Sequence, residues 1–259
     1  MINVRNVVVY ATRSSKAVKA ALLTASLFPG AVYHVVSTVP TLRSRTSYTR
    51  MFQEVVESIV DDSIKDVELA LLSRGIEVLR KKVLRGDLVR SVVDYVLRTK
   101  ADFIVTGSSS ASFIANIILK IVKSVNIQET RVPLLVHTPK ARDVGAVSEV
   151  ALITHSAGPE DLPTLLAIEV SKKFRAVLRV IPLTEMEWLS RSALSEGLGA
   201  GEVNLIIENV PAGGSVADEV LKMTKYSDFI ILKEVRGTGL TQVLEKRVLC
   251  ESTAPVVIT

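Results

Sequence analysis

Two serine-rich loops, each following a predicted strand, carry the residue types best suited to binding a ligand. The loop at residues 12–15 follows a buried apolar strand and reads Thr-Arg-Ser-Ser. The loop at residues 107–112 follows another such strand and reads Gly-Ser-Ser-Ser-Ala-Ser before a predicted helix. Hydroxyl groups, an arginine and the amides of a helix N-terminus are donors that suit a small anion. The candidate binding residues are Thr12, Arg13, Ser14, Ser15, Gly107, Ser108, Ser109, Ser110 and Ser112.

The same serines also have a purely structural explanation, and the sequence does not decide between that explanation and ligand binding. Ser14, Ser15 and Ser112 are suited to capping helix N-termini in any fold of this type. The segment 37–50 contains three arginines and no acidic residue. It either supplies cations to an anion bound at the two serine-rich loops or forms a solvated loop. Those arginines are Arg43, Arg45 and Arg50.

Residue types for catalysis are few. His155 and Ser156 are adjacent, but neighbouring residues of a strand point to opposite faces, and no oxyanion-binding group accompanies them. With three histidines and one cysteine, the chain has neither a zinc-ligand pattern nor a disulfide framework. His34 and His137 fall within predicted strands, and Cys250 is expected to pack in the core. We expect no metal site and no catalytic residues, and a non-enzymatic role is favoured over an enzyme.

The composition predicts a folded protein without membrane spans. The 259 residues are 48% hydrophobic and 23% charged, which is enough apolar surface to form a core. The longest apolar run, residues 113–122, is interrupted by Asn116 and Lys120 and is too short to cross a bilayer. The start of the chain lacks a secretory-signal pattern, so a cytoplasmic location is expected. The low content of Asn and Gln, six and three residues, is typical of thermophile proteins.

Charge is distributed unevenly along the chain. Residues 1–142 carry a formal net charge of +10, and residues 143–259 carry −5. Two halves of opposite charge that pack on each other are the favoured explanation. Nucleic acid is the weaker alternative, because aromatic residues make up only 5% of the chain and do not alternate with basic ones.

One order of elements occurs twice. The first half alternates strands and helices, with strands predicted at residues 6–12, 31–39, 76–84, 102–107 and 132–137. The second half repeats this order, with strands predicted at 149–155, 176–183, 203–210, 228–232 and 255–259 and a shortened second helix. The phrases Lys-Ala-Asp-Phe-Ile-Val at 100–105 and Tyr-Ser-Asp-Phe-Ile-Ile at 226–231 mark the repeat.

This repeat predicts an α/β fold class with two tandem Rossmann-like domains, residues 1–140 and 148–259. Each is expected to have a mainly parallel five-stranded sheet with helices on both faces. The domains are expected to join as an intramolecular pseudo-dimer through antiparallel pairing of residues 134–137 with 256–259. In such folds a ligand binds beyond the carboxyl ends of the strands where the strand order reverses, which is where residues 12–15 and 107–112 are expected.

The element order resembles tandem universal stress proteins of the UspA type, over almost the whole chain. The family's usual strand order is 3-2-1-4-5, and its phosphate signature is G-x-x-G, nine residues, then G-S or G-T. Here the signature reads Gly107, then Ser110 at the second glycine. Lys120 and Ile121 stand where the later glycine and hydroxyl belong, so the resemblance implies a degenerate nucleotide site.

The second half departs further from the family signature. Lys233 stands at the first glycine, and Gln242 with Val243 stands at the G-S position. ATP-binding members usually carry an acidic residue after the first strand, where this chain has Thr12 and His155. A local Gly237-x-Gly239 is weak evidence for phosphate binding. Asp87 matches a family Gly-Asp near the ribose, and would matter only with a nucleotide bound.

The resemblance implies a non-enzymatic stress-response or regulatory protein that does not bind ATP strongly. The alternative is a sensor of a nucleotide or small anion, or a slow nucleotide hydrolase, that uses the loop pair of the first domain. AMP, ATP or a small anion are the ligands considered for that site. An unidentified protein partner is expected, a homodimer of the tandem chain is the second arrangement considered, and no membrane partner is expected.

Overall fold

A computed structural model describes residues 2–40, 47–127, 132–155, 161–183, 203–211, 213–233 and 239–259. The chain divides into two compact units, Val4–Pro139 and, for its main part, Lys140–Thr259. The division lies beside the predicted end of the first domain. The assignment of residues 148–259 as a second domain of the same family stays a prediction, as does the pseudo-dimer.

The first unit alternates strands and helices around one parallel sheet. Its elements are β1 (Asn6–Tyr10), α1 (Ser15–Leu27), β2 (Val32–Val39), α2 (Ser47–Leu72), β3 (Val78–Arg85), α3 (Leu88–Thr99), β4 (Phe103–Gly107), α4 (Ala111–Phe113), a π-helical turn (Ile114–Ile118), α5 (Leu119–Ile127) and β5 (Leu134–His137). The pairs β3–β2, β2–β1, β1–β4 and β4–β5 are all parallel. The strand order is therefore 3-2-1-4-5. Successive strands are added on one side of β1 as far as β3 and on its other side from β4 onwards.

The second unit has the same strand order. Its described elements are β6 (Glu149–Thr154), α6 (Leu162–Phe174), β7 (Val177–Pro182), β8 (Leu205–Ile207), α7 (Val216–Met223), β9 (Phe229–Leu232), α8 (Gly239–Glu251) and β10 (Val256–Ile258). The parallel pairs β8–β7, β7–β6, β6–β9 and β9–β10 give 3-2-1-4-5 when counted within the unit. The predicted α/β class with mainly parallel sheets is confirmed. The shortened helix falls in residues 184–202, outside the described residues.

The central strands are apolar because helices cover both of their faces. Val7, Val8 and Val9 are consecutive in β1, and all three are fully buried. Adjacent residues of a strand face opposite sides, so burial of all three requires cover on both sides of the sheet. The strand predicted at 203–210 is wrong in length: β8 has three residues, and all three keep some exposure. Within the described residues, no helix combines the length and apolar character needed to cross a bilayer.

The repeated Asp-Phe-Ile phrase has a structural role in each unit. The Asp102 carboxylate accepts hydrogen bonds from the backbone N–H groups of Arg5 and Asn6, at 2.8 and 2.9 Å. The Asp228 carboxylate accepts from the N–H groups of Ser148 and Glu149, at 2.8 and 3.2 Å, and from the Ser148 hydroxyl. Each aspartate thus fixes the start of the unit's first strand beside its fourth.

Replacing Asp102 or Asp228 with alanine is expected to lower the free energy of unfolding by about 2 kcal/mol, because each change removes two or more charge-assisted hydrogen bonds. Urea denaturation followed by far-ultraviolet circular dichroism measures the loss. Asp66→Ala, an exposed change on α2, is the matched control and should cost much less. Losses no larger than that of the control would show that these hydrogen bonds add nothing to stability.

Candidate functional site

The structure brings all nine predicted site residues to one edge of the first sheet. Residues 12–15 follow β1, and residues 107–112 run from the end of β4 into α4. The strands are neighbours, with Tyr10 paired to Thr106 in register. The Thr12 hydroxyl donates to the carbonyl oxygen of Gly107 at 2.6 Å and ties the two loops together. The loop pair therefore occupies the crevice where the strand order reverses.

Most of the hydroxyl groups in the loop pair bind backbone amides of the same loops. Thr12 Oγ1 accepts from the N–H of Ser14, and Ser14 Oγ accepts from the N–H of Lys16, both at 3.2 Å. Ser108 Oγ accepts from the N–H of Ser110 at 3.0 Å, and Ser110 Oγ accepts from the N–H of Phe113 at 3.2 Å. The Ser14 and Ser110 hydroxyls satisfy first-turn amides of α1 and α4, which have no acceptor within their own helix, and the other two hydroxyls bind amides of their own loops.

The capping residues differ in part from those predicted. Ser14 caps α1 as expected, whereas Ser15 is the first residue of that helix. Ser110, in extended conformation, caps α4 in place of Ser112. The Ser112 hydroxyl instead accepts from Asn116 Nδ2 at 3.3 Å. The prediction failed because α4 begins at Ala111, before the apolar pattern of residues 113–127 becomes visible.

Gly107 is a packing position. A Cβ atom at Gly107 would lie 2.3 Å from both the backbone carbon and oxygen of Lys16, and 2.7 Å from the nitrogen of Ala17. The first turn of α1 therefore rests directly on the end of β4. Sequence reasoning missed the contact with Lys16, because nothing local to either residue signals that the two backbones meet.

Several donors of the loop pair remain exposed to solvent. The side chains of Arg13, Ser15, Ser109 and Ser112 are all exposed, whereas Ser108 is buried. Arg13 forms no ion pair within the described residues. Neither residues 12–15 nor residues 107–112 contain a carboxylate. This arrangement suits a small anion better than a magnesium-bound triphosphate, because magnesium favours oxygen ligands such as carboxylates.

The position of the family's later glycine and hydroxyl lies inside a helix. Lys120 is exposed and Ile121 is buried, and both belong to α5, which continues from the π-helical turn. Amides within a helix already donate to carbonyls of the preceding turn, so they are not available to a phosphate. Ile121 contributes its side chain to the core in place of a hydroxyl.

An ion pair occupies the corresponding edge of the second unit. Lys233, directly after β9, donates from Nζ to Asp161 Oδ2 at 2.6 Å. Asp161 is the N-cap residue of α6, but its carboxylate does not bond to the first amides of that helix. Burial, and then the charge of Lys233, hold the pKa of His155 below its ordinary value. Sequence reasoning missed Asp161, although an Asp two residues before Pro163 is a helix-start signal.

The remaining candidate residues lie apart from these edges or outside the described residues. His34 and His137 are buried, as expected for strand positions. Cys250 is half-buried instead of packed in the core, and burial raises the pKa of its thiol. Ser156 and Gly237 fall outside the described residues, as do Arg43 and Arg45. The structure describes only the backbone of Arg50, Gly239 and Gln242.

Comparison with known proteins identifies the family. The model of the universal stress protein family matches residues 4–137, which is more than half of the chain. A universal stress protein from Archaeoglobus fulgidus is similar in structure, with 18% identity, 98% of this chain and 95% of that chain covered, and a TM-score of 0.69.

Two further solved structures share the fold across nearly the whole chain. A functionally unknown protein from Pseudomonas aeruginosa has 15% identity, with 98% of this chain and 92% of that chain covered and a TM-score of 0.59. The cytoplasmic domain of a prokaryotic cation chloride cotransporter has 11% identity, with 99% and 95% covered and a TM-score of 0.59. No curated protein matches the sequence. The match over residues 4–137 shows that the chain belongs to the universal stress protein family.

Proposed function

We propose that this chain is a non-catalytic regulatory protein of the stress response that does not bind ATP strongly. One observation carries the proposal: the positions where the family signature places phosphate-binding groups hold groups that serve the fold instead. Gly107 matches the first glycine of the signature, but Ser110, at the second glycine, caps α4, and Ile121, at the later hydroxyl, is buried in α5. The loss of these phosphate-binding groups fits a protein that acts by binding another protein, which is still to be identified.

The energetic consequence for ATP is large. Each missing hydrogen bond to a charged phosphate costs about 1.5 to 3 kcal/mol of binding free energy. In the first unit the later glycine and hydroxyl are both absent, and Thr12 replaces the acidic residue. In the second unit Lys233 is already paired with Asp161, so a ligand phosphate would have to compete with that carboxylate. Affinity for ATP weaker than millimolar is the expected result.

A second candidate function, sensing of a small anion or a mononucleotide such as AMP, is favoured by the exposed donors of the loop pair. Arg13, Ser15, Ser109 and Ser112 are exposed and belong to the two loops that follow β1 and β4. The first turn of α1 contributes a favourable dipole for negative charge, and it contains no acidic residue. Such a sensor needs no catalytic step. ATP would compete only weakly with the small anion or AMP for the loop pair.

Calorimetric titration of the purified chain with magnesium ATP, and separately with AMP, tests both candidates. We expect no measurable ATP binding, and chromatography of the denatured protein should release no nucleotide. Weak AMP binding that moves the Gly107 amide resonance in a nitrogen-15 spectrum would support the sensing role. Tight ATP binding would overturn the main proposal.

Arg13→Gln is the variant that tests the loop pair, because Arg13 is exposed and its removal leaves the caps in place. We expect it to weaken AMP binding by about tenfold, the usual effect of losing one charged hydrogen bond. Arg74→Gln removes the same charge from another exposed position of the first unit and is the matched control. Equal AMP affinity in both variants would exclude the loop pair as the site.

A further inference from the structure

A group of basic residues surrounds a buried tyrosine on the face of the first sheet that α3 covers. Arg80 and Lys82 lie in β3, in register with His34 and Val36 of β2. Paired residues of neighbouring parallel strands point to the same face, so Arg80 shares a face with His34. The Tyr95 hydroxyl of α3 lies 3.1 Å from His34 Nδ1, which identifies that face as the one beneath α3.

Three cations converge on Tyr95. Lys82 Nζ lies 6.0 Å from the centroid of the Tyr95 ring. Arg80 pairs in register with His34, whose Nδ1 atom lies 3.1 Å from the Tyr95 hydroxyl. Arg98 follows Tyr95 by three residues on α3, a spacing that makes helix side chains neighbours. Burial raises the pKa of Tyr95, and the charges of Arg80 and Arg98 oppose that rise. Tyr95 itself is 4% exposed, whereas Arg80, Lys82 and Arg98 are exposed. The result is a basic surface with a buried hydroxyl at its centre.

Arg80, Lys82 and Arg98 form no ion pair within the described residues. On the opposite face of β3, Lys81 pairs with Glu68 at 3.0 Å and Arg85 pairs with Glu57 at 2.8 Å. On α3 itself, the exposed Asp94 carboxylate lies 3.9 Å from Arg90. Arg98 Nε donates to the backbone carbonyl of Asp94 and not to its carboxylate. The two faces of β3 therefore differ: Lys81 and Arg85 on one face form ion pairs, whereas Arg80 and Lys82 on the other face form none within the described residues.

A buried polar atom at the same place lacks a hydrogen bond. His34 is 5% exposed, and its Nε2 atom has no partner within the described residues. Burial and the charge of Arg80 hold the pKa of His34 below its ordinary value. Buried polar atoms in folded proteins nearly always have a partner, so a water molecule or a bound group is expected at Nε2.

We propose that Arg80, Lys82 and Arg98, arranged around Tyr95 and His34, bind a doubly charged oxyanion, namely inorganic phosphate or the phosphate of a small phosphomonoester. Guanidinium groups suit this ligand because their paired N–H groups match two oxygens of a tetrahedral anion. Charged side chains on an edge strand also prevent sheets from pairing edge to edge. That role explains why the strand is charged. It does not explain why ion pairs form on only one of its faces, or why the buried His34 Nε2 atom lacks a partner.

Histidine titration by proton NMR provides a direct test, because the chain contains only three histidines. Sulfate is the first probe, since its charge stays constant over the titration range, and phosphate and glycerol 3-phosphate follow. An anion beside Arg80 should cancel its repulsion of protonated His34. We expect millimolar sulfate to raise the pKa of His34 relative to chloride at equal ionic strength, with His137 and His155 unchanged.

The double variant Arg80→Gln/Arg98→Gln should weaken sulfate binding by at least about tenfold and remove the His34 response. Arg74→Gln, at an exposed position outside both candidate sites, is the control and should respond as the parent does. A stronger response to glycerol 3-phosphate than to phosphate would identify a phosphomonoester as the ligand, and the reverse would identify the inorganic ion. A His34 pKa that sulfate leaves unchanged, or a response that persists in the double variant, would overturn the proposal.

Discussion

Replacing Gly107 with alanine is expected to destabilise the first unit by about 3 kcal/mol. The new Cβ would lie 2.3 Å from the backbone carbon and oxygen of Lys16, a distance that no real Cβ contact has. Backbone atoms cannot rotate away as a side chain can, so α1 has to move off β4. Overpacking of this kind costs about 1 to 3 kcal/mol, and displacement of α1 also strains the 2.6 Å hydrogen bond between Thr12 and Gly107. Urea denaturation gives the loss directly.

Gly30→Ala is the matched control for this prediction, because a Cβ at Gly30 meets nothing within 4 Å. That change should alter stability by no more than about 0.5 kcal/mol. If the two variants unfold at the same urea concentration, α1 does not rest on Gly107 as the structure describes. A substitution at Gly107 is also a poor test of ligand binding, because it would disturb the fold first. Arg13 is the better position for that purpose.

The sequence was sufficient to predict the order and type of the elements, because burial on both faces leaves a strong pattern. β1 contains three fully buried valines in a row, and β9 (Phe229–Leu232) lies within the strand predicted at 228–232. The ends of elements were harder to predict. β8 is much shorter than predicted and α4 starts earlier, because short-range pairing and capping decide these boundaries and leave little apolar signal.

The position of the loop pair in the fold could be predicted from the sequence, whereas its contacts could not. Parallel topology alone brings residues 12–15 and 107–112 to one edge. The hydrogen-bond partners of the hydroxyl groups in these loops depend on where α1 and α4 begin. The packing of the helices on the sheet determines those starting points. The ion pair between Lys233 and Asp161 joins residues 72 positions apart, and no local pattern links them. Lys233 in the second unit stands at the position of Gly107 in the first, so this position has a charged side chain in one unit and no side chain in the other.

Truncating the repeated phenylalanine, Phe103→Ala in the first unit or Phe229→Ala in the second, is expected to cost about 3 to 5 kcal/mol. Both side chains are almost fully buried, at 1% and 0% exposure. Phe103 also packs against Phe28, with ring centroids 5.3 Å apart. Removal of either ring leaves a cavity that rigid strands on both sides cannot fill. Thermal unfolding and urea denaturation measure the loss.

Phe52→Ala provides the control, because Phe52 is half exposed on α2 and its truncation should cost less than about 1 kcal/mol. Hydrogen exchange then locates each effect. Phe103→Ala should speed exchange in β1 and β4, and Phe229→Ala should do so in β6 and β9, because these are the strands paired through the two phenylalanines. A cost equal to that of Phe52→Ala would contradict their place in the core. Matching losses at the two positions would show that the phenylalanine of the repeated phrase contributes equally to the cores of both units.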